Sequence, residues 1–306
     1  RAKTTRNSLI LLLTATIWGM AFVSQSKGMD YMHPFTFNGV RSLIGAAGIL
    51  VYILISRKIA GDKAAKLDWK LNVKAGLLCG IFLTIASTLQ QFGIKYTSVG
   101  KAGFITTLYI IFVPMFGIFL KKKVAPVVWA AAGMAAVGMY LLCMTESLRL
   151  GAGDIMVFLC AIAFAIQIMT VDHYAARIDG AVVSCIQFTV CGVVCCIGAL
   201  IWGQPTFGQI QEGLGALLYA GVLSCGVGYT LQIVGQKGLN PTVAALIMSL
   251  ESVIATISGW IAYKIGFLST DQTLTPRQIA GCVIVFAAVI LVQLPPEWFR
   301  FGKKNA

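Results

Sequence analysis

Charge is what this sequence has least of. Only 11% of its 306 residues are Asp, Glu, Lys or Arg, against roughly a quarter in a soluble domain. Acid is scarcer still: 11 Asp and Glu face 24 Lys and Arg, and there are two histidines. No stretch between apolar runs is long enough to fold as a soluble domain. No CxxC pair, no GxxxxGK[ST] phosphate loop, no HExxH and no GxSxG occurs. These absences argue against ATP hydrolysis and leave no metal or cofactor to expect. An intramembrane enzyme is a remote alternative, since His33 and His173 sit at opposite span ends and supply no catalytic pair. The nine cysteines all lie inside apolar runs and read as small buried hydrophobes.

What remains is hydrocarbon. The chain is 58% hydrophobic, with a mean hydropathy of +0.84. Its fold class is an all-α polytopic membrane protein. Ten candidate spans cover about 8–26, 35–56, 74–95, 102–120, 125–145, 154–172, 181–202, 213–235, 241–264 and 277–294, each near the ~20 residues that cross a bilayer. Arg1, Lys3 and Arg6 precede a run of spanning length, which reads as a first span rather than a cleavable signal. Pro34, Pro126, Pro241 and Pro276 fall at helix starts, where a missing N–H is harmless. Pro295 and Pro296 close the last span. Pro114 alone lies inside one and predicts a hinge there.

The +13 net charge is no sign of nucleic-acid binding, because the basic residues occupy short loops. They read as topology determinants and contacts to membrane lipids. With the N-terminus in the cytoplasm, seventeen Lys and Arg fall on the inner side, among them Lys63, Lys66, Lys121 to Lys123, Arg300, Lys303 and Lys304. Six, including Lys95, Lys101 and Arg149, fall outside. That bias places both termini in the cytoplasm of a cell (plasma) membrane protein.

The chain also repeats. Residues 90–120 align without gaps on 232–262, so that Gln90 falls on Gln232, Leu108 on Leu250 and Tyr109 on Glu251. Earlier parts align at an offset of 146, with Trp18 on Phe164 and Arg41 on Gln187. Residues 1–148 and 149–306 are therefore expected to be two five-helix repeats, joined near Leu148–Gly153. Five is odd, so the second enters the membrane inverted. Secondary transporters share this organisation and hold their solute near the midplane between the halves.

Polar residues within spans point to that site. Glu251 sits mid-span in the run 243–261, where an ionised carboxyl costs roughly 2.5–3.5 kcal/mol on insertion scales. It must face protein, a counter-charge or a water-filled cavity. A sheltered carboxyl resists ionisation, which makes Glu251 the candidate for proton coupling. Arg41 is the one intramembrane base. Trp18, Asn38, Thr84, Gln91, Tyr109, Gln167, Gln187, Tyr229 and Gln232 complete the candidate cavity set, drawn from spans one to four and six to nine. Spans five and ten have almost nothing polar in their middles and read as outer scaffold. Gly, Ser and Thr stripes also serve helix contact, most buried aromatics are packing, and Arg41 and Glu251 are either ligand groups or a structural ion pair.

Several of these residues also form motifs: Ile17-Trp18-Gly19 with Phe22, Asn38-Gly39-Val40-Arg41, Gly153-Asp154-Ile155, Ser249-Leu250-Glu251-Ser252-Val253, and Gly259-Trp260. In this order, through a duplicated ten-span frame, the chain resembles the EamA-type branch of the drug/metabolite transporter superfamily over essentially its whole length. The family pattern has a proline after the ninth-span Glu, where this chain has Ser252. The resemblance implies a ten-helix carrier with both termini inside. It implies alternating-access movement of a small organic metabolite, such as an amino acid, amine or drug-like solute, often outward and possibly with protons. An uncoupled facilitator of the same fold is the alternative. Neither substrate, direction, coupling nor oligomeric state follows from the motifs.

Overall fold

The computed structural model describes residues 2–61, 67–120, 125–143, 151–269 and 273–293. Lys63, Lys66, Lys121 to Lys123, Arg149, Pro295, Pro296, Arg300, Lys303 and Lys304, with the join at Leu148, lie outside them.

Among the described residues every regular element is helical. The α-helices are α1 (Ala2–Gly28), α2 (Pro34–Ala60), α3 (Trp69–Tyr96), α4 (Val99–Thr107), α5 (Tyr109–Phe119), α6 (Pro126–Cys143), α7 (Ala152–Tyr174), α8 (Gly180–Gly198), α9 (Phe207–Glu212), α10 (Leu214–Leu218), α11 (Tyr229–Gln236), α12 (Pro241–Met248), α13 (Glu251–Lys264) and α14 (Pro276–Gln293). Two π-helical stretches, Ala199–Gly203 and Tyr219–Gly228, extend α8 and join α10 to α11.

The starts follow from local chemistry. Four helices begin at Pro34, Pro126, Pro241 and Pro276. Others are capped by side chains that accept from orphan backbone N–H groups. Asp68 accepts from Leu71 N at 3.0 Å, Ser98 from Lys101 N at 3.3 Å, and Asp179 from Ala181 N at 2.9 Å. His33 caps α2 by accepting from Phe35 N at 3.3 Å. Partial burial, with Lys95 nearby, lowers the His33 pKa below the ordinary value, which keeps the ring neutral and its acceptor free for the cap.

Eight helical segments are long and apolar enough to cross a membrane. They correspond to spans one to four and six to nine. α6 and α14, at the positions of the expected fifth and tenth spans, yield only the shorter apolar helices Pro126–Gly138 and Pro276–Leu291. Both run up to residues outside the description. They pack on each other.

Spans four and nine are both interrupted. The fourth breaks at Leu108, between α4 and α5, and the ninth at Ser249 and Leu250, between α12 and α13. Hydroxyls cause much of this by bonding back to their own helix, a competition that bends helices. Thr107 Oγ1 donates to Phe104 O at 2.9 Å. Ser249 Oγ donates to Leu246 O at 2.7 Å, and Ser252 Oγ to Ser249 O at 2.8 Å. Pro114, expected as the hinge, stands inside α5, and the interruption of that span comes six residues before it.

Close helix contact rests on absent side chains. Where α3 meets α7, a Cβ on Gly93 would collide with Val157 Cγ2 and stand 2.8 Å from Gly153 O. Gly93→Val should therefore destabilise the protein by about 1–3 kcal/mol through overpacking. Thermal melting in detergent checks this, with Gly133→Ala as control, since a Cβ there meets nothing within 4 Å.

Candidate functional site

The helices enclose one polar cavity at the level of the two breaks. Its lining comes from α1, α2, α3, α4, α5, α7, α8, the second π stretch, α11 and α13, and none of it from α6 or α14. Its volume is about 30 Å³, room for roughly two waters at about 10–15 Å³ each. An organic solute fits only when the walls part.

Of the residues singled out from sequence, Trp18, Arg41, Tyr109, Gln167, Tyr229, Gln232 and Glu251 line this cavity. Asn38, Thr84, Gln91 and Gln187 do not. Asn38 Nδ2 donates to Ser87 O at 2.8 Å, tying α2 to α3. Thr84 Oγ1 donates to Gly80 O of its own helix at 2.6 Å. Gln91 Nε2 donates to Gln25 O at 3.2 Å. Gln187 Oε1 accepts from Gln167 Nε2 at 3.5 Å, behind the wall.

The two charges stand apart. Glu251 opens α13 just past the break and is 4% exposed. Its Oε1 accepts from Tyr109 Oη at 3.0 Å, the carboxyl's one hydrogen bond among the described residues. Arg41 is 5% exposed. Its guanidinium lies 5.4 Å from the centre of the Phe37 ring, and among the described residues it makes no ion pair and no hydrogen bond. The two do not pair with each other. Arg41's helix is held against the π stretch because a Cβ on Gly221 would come within 2.9 Å of Arg41 O.

Around these charges sit aromatics and amides. Trp18 and Tyr229 rings are 4.5 Å apart, and Phe188 meets Tyr229 edge-on at 5.0 Å. Trp18 Nε1 is buried without an acceptor. Gln232 Nε2 donates to Gln167 Oε1 at 3.1 Å, and Gln90 Nε2 to Thr106 Oγ1 at 3.2 Å. The cavity thus offers a guanidinium donor, a carboxyl acceptor and aromatic faces, a set that suits a small solute bearing both charge and ring or alkyl surface. Lys101, one of the six basic residues expected on the outer side, pairs with Asp154 at 2.6 Å.

Sequence reading missed two features. Cys191 is more than a small hydrophobe: its sulfur lies 3.5 Å from Ser42 Oγ and 3.4 Å from Ser87 Oγ. The signal was its place one helical turn after Gln187. The π stretch was also missed. It turns Ser224 and Cys225 to the cavity together, whereas a 3.6-residue period puts Ser224 on one face with Gly221 and Gly228 and turns Cys225 away. Three glycines within it, Gly221, Gly226 and Gly228, were the available signal.

An all-helical body with eight membrane-length helices around one polar cavity defines a multi-pass membrane protein. The family model for EamA-like transporters matches residues 6–144 and again residues 151–294, so the chain belongs to the EamA-like transporter family. It is 28% identical over 290 residues to an uncharacterized transporter of Archaeoglobus fulgidus, covering 93% of this chain and 84% of that one. Over 295 residues it is 24% identical to the uncharacterized transporter YwfM of Bacillus subtilis, covering 95% and 94%. Its fold resembles that of a protein of known crystal structure with a TM-score of 0.74 at 16% identity, covering 97% of this chain and 99% of the other.

The Tyr109–Glu251 bond should be measurable. Tyr109→Phe removes a donor to a buried carboxyl and should cost about 1–3 kcal/mol. In a double-mutant cycle with Glu251→Gln the effects should be non-additive by about 0.5–3 kcal/mol. Additive losses in melting experiments would mean that the two groups do not interact.

Proposed function

We propose that the chain is a secondary transporter that carries a small organic solute with an anionic group at Arg41 and a cationic group or a proton at Glu251. The carrying observation is an unpartnered, buried guanidinium facing the same small cavity as a carboxyl held by a single tyrosine. An intramembrane charge without a counter-ion is costly and marks a solute or ion site. Amino acids and other carboxylate-bearing amines fit the pair, and Trp18 and Tyr229 add surface for a ring or alkyl chain.

The carrier works by alternating access between two inverted five-helix repeats, residues 1–148 and 149–306. Three facts support this. The family model matches the chain twice, in register with the two halves. The fourth and ninth spans break at places 142 residues apart, and interrupted helices in corresponding positions of two halves mark transporter binding sites. The Tyr109–Glu251 hydrogen bond joins residues that are themselves 142 apart. Equivalent residues of two related halves can touch only on the axis that relates them. α6 and α14 complete the ten spans. Charge bias puts both termini in the cytoplasm of the cell membrane, and export is the proposed direction.

Reconstitution in liposomes tests the reading. Arg41→Gln should reduce transport of carboxylate-bearing solutes at least tenfold, which is about 1.4 kcal/mol of lost interaction. Solute-driven proton flux should appear with wild type and vanish with Glu251→Gln. Flux that is independent of pH and equal in both proteins would identify an uncoupled facilitator. A thermal-shift screen of amino acids, amines and carboxylates, read through stabilisation by bound ligand, selects the solutes. A reporter active only in the cytoplasm, fused after residue 306, should be active.

A further inference from the structure

A second cavity lies away from the solute site, on the lipid-facing side of α1. It is an apolar groove of about 610 Å³ between α1, the α10 region and α13. Met20 and Val23 form one wall, Gly215 and Tyr219 another, and Ile254 to Ile265 the third. Its hydroxyls point into the protein. Ser24 Oγ donates to Ala216 O at 3.0 Å, Ser258 Oγ to Ala255 O at 3.2 Å, and Tyr219 Oη to Ile17 O at 3.1 Å. The groove therefore presents hydrocarbon and has no use for a polar solute.

Its length fits one leaflet. From Ile254 to Ile265 is eleven steps along the chain, or roughly 16 Å of helix, about half of a 30 Å hydrocarbon core. It begins near the depth of Glu251 and ends at Phe267. There Lys27, one turn beyond Val23 on α1, lies 5.8 Å from the centre of the Phe267 ring. Lys27 also pairs with Asp30 at 3.0 Å and lies 5.4 Å from the centre of the Tyr31 ring. The mouth of the groove is thus one positive and one negative charge side by side.

The positions that correspond to its α13 wall are filled differently in the first half. In the 142-residue alignment Ile254 and Ser258 correspond to Phe112 and Phe116. Those rings stack at 6.4 Å, and Phe112 meets Phe158 edge-on at 5.6 Å. Aromatic rings stand there where the second half has an isoleucine and a serine whose hydroxyl turns back on its own helix.

We propose that this groove binds one acyl chain of a phosphatidylethanolamine-type lipid of the surrounding bilayer, with the lipid phosphate on Lys27 and its ammonium on Asp30. A net-negative headgroup would set its charge against Asp30. A choline headgroup has no N–H to donate to that carboxylate. The inference requires only that the chain spans a bilayer and is independent of what the central cavity carries.

Native mass spectrometry of the full chain in detergent tests it, with phosphatidylethanolamine, phosphatidylcholine and phosphatidylglycerol added in equal amounts. Wild type should retain phosphatidylethanolamine with at least fivefold preference over either competitor. Gly215→Phe fills the groove from a position where a Cβ meets nothing within 4 Å, so it should lower retention at least tenfold without lowering the melting temperature. If that variant fails to fold, Ile257→Trp, at a residue 40% exposed on the groove wall, serves the same purpose. Asp30→Asn should abolish the preference over phosphatidylglycerol while leaving retention intact. Equal retention by wild type and the filled-groove variant overturns the proposal, as does a wild-type preference for either competing lipid.

Discussion

A carboxyl group at the middle of an apolar span constrains everything around it. Glu251 must be kept from lipid, and the chain does so by enclosing it among eight membrane-length helices and giving it Tyr109 as donor. The break just before it matters as much. Interrupting a helix at membrane depth frees backbone groups that hydrocarbon cannot satisfy. Here serine hydroxyls bond back to the last carbonyls, so the interruption is supported by the residues that cause it. Glu251 then sits in the first turn of α13, where the exposed N–H groups of the new helix favour negative charge.

Arg41 follows a different logic. A structural arginine in hydrocarbon would be surrounded by acceptors. This one rests on the Phe37 ring and faces a cavity with room for about two waters. Two separated, incompletely satisfied charges thus line one small cavity. The glutamines work differently: Gln167 bonds to both Gln187 and Gln232 and ties three helices together, while Gln187 Nε2 is left without a partner. The amides thus bond mainly among themselves, whereas Arg41 has no ion-pair or hydrogen-bond partner among the described residues.

The two halves have similar sequence frames and different contents. Tyr109 stands where the other half has Glu251, Gln187 where it has Arg41, and Phe112 where it has Ile254. Each difference moves chemistry to one side. One half supplies the base and the other the acid, and the apolar groove beside α13 lies where the corresponding positions of the first half carry bulky rings. The π stretch in the second half has the same character, because its wider turn lets adjacent Ser224 and Cys225 both reach the cavity.

Much was legible in the chain. Eight spans, the four helix-starting prolines, the intramembrane Arg41 and Glu251, and the family itself follow from hydropathy, from fixed backbone rules and from charges too costly to be incidental at that depth. These are one-dimensional properties: each depends on a residue and its near neighbours in sequence. The division of the polar residues was not legible. Trp18 and Asn38 look equally suited to a cavity, yet one lines it and the other ties α2 to the Ser87 carbonyl, because that choice depends on how far neighbouring helices rotate. The absence of an Arg41–Glu251 pair and the use of Cys191 as a polar partner are likewise outcomes of distance between helices. Sequence determined which groups lie in the apolar spans, and only tertiary structure decided which of them are left unsatisfied, since satisfaction is a relation between residues as much as 239 positions apart.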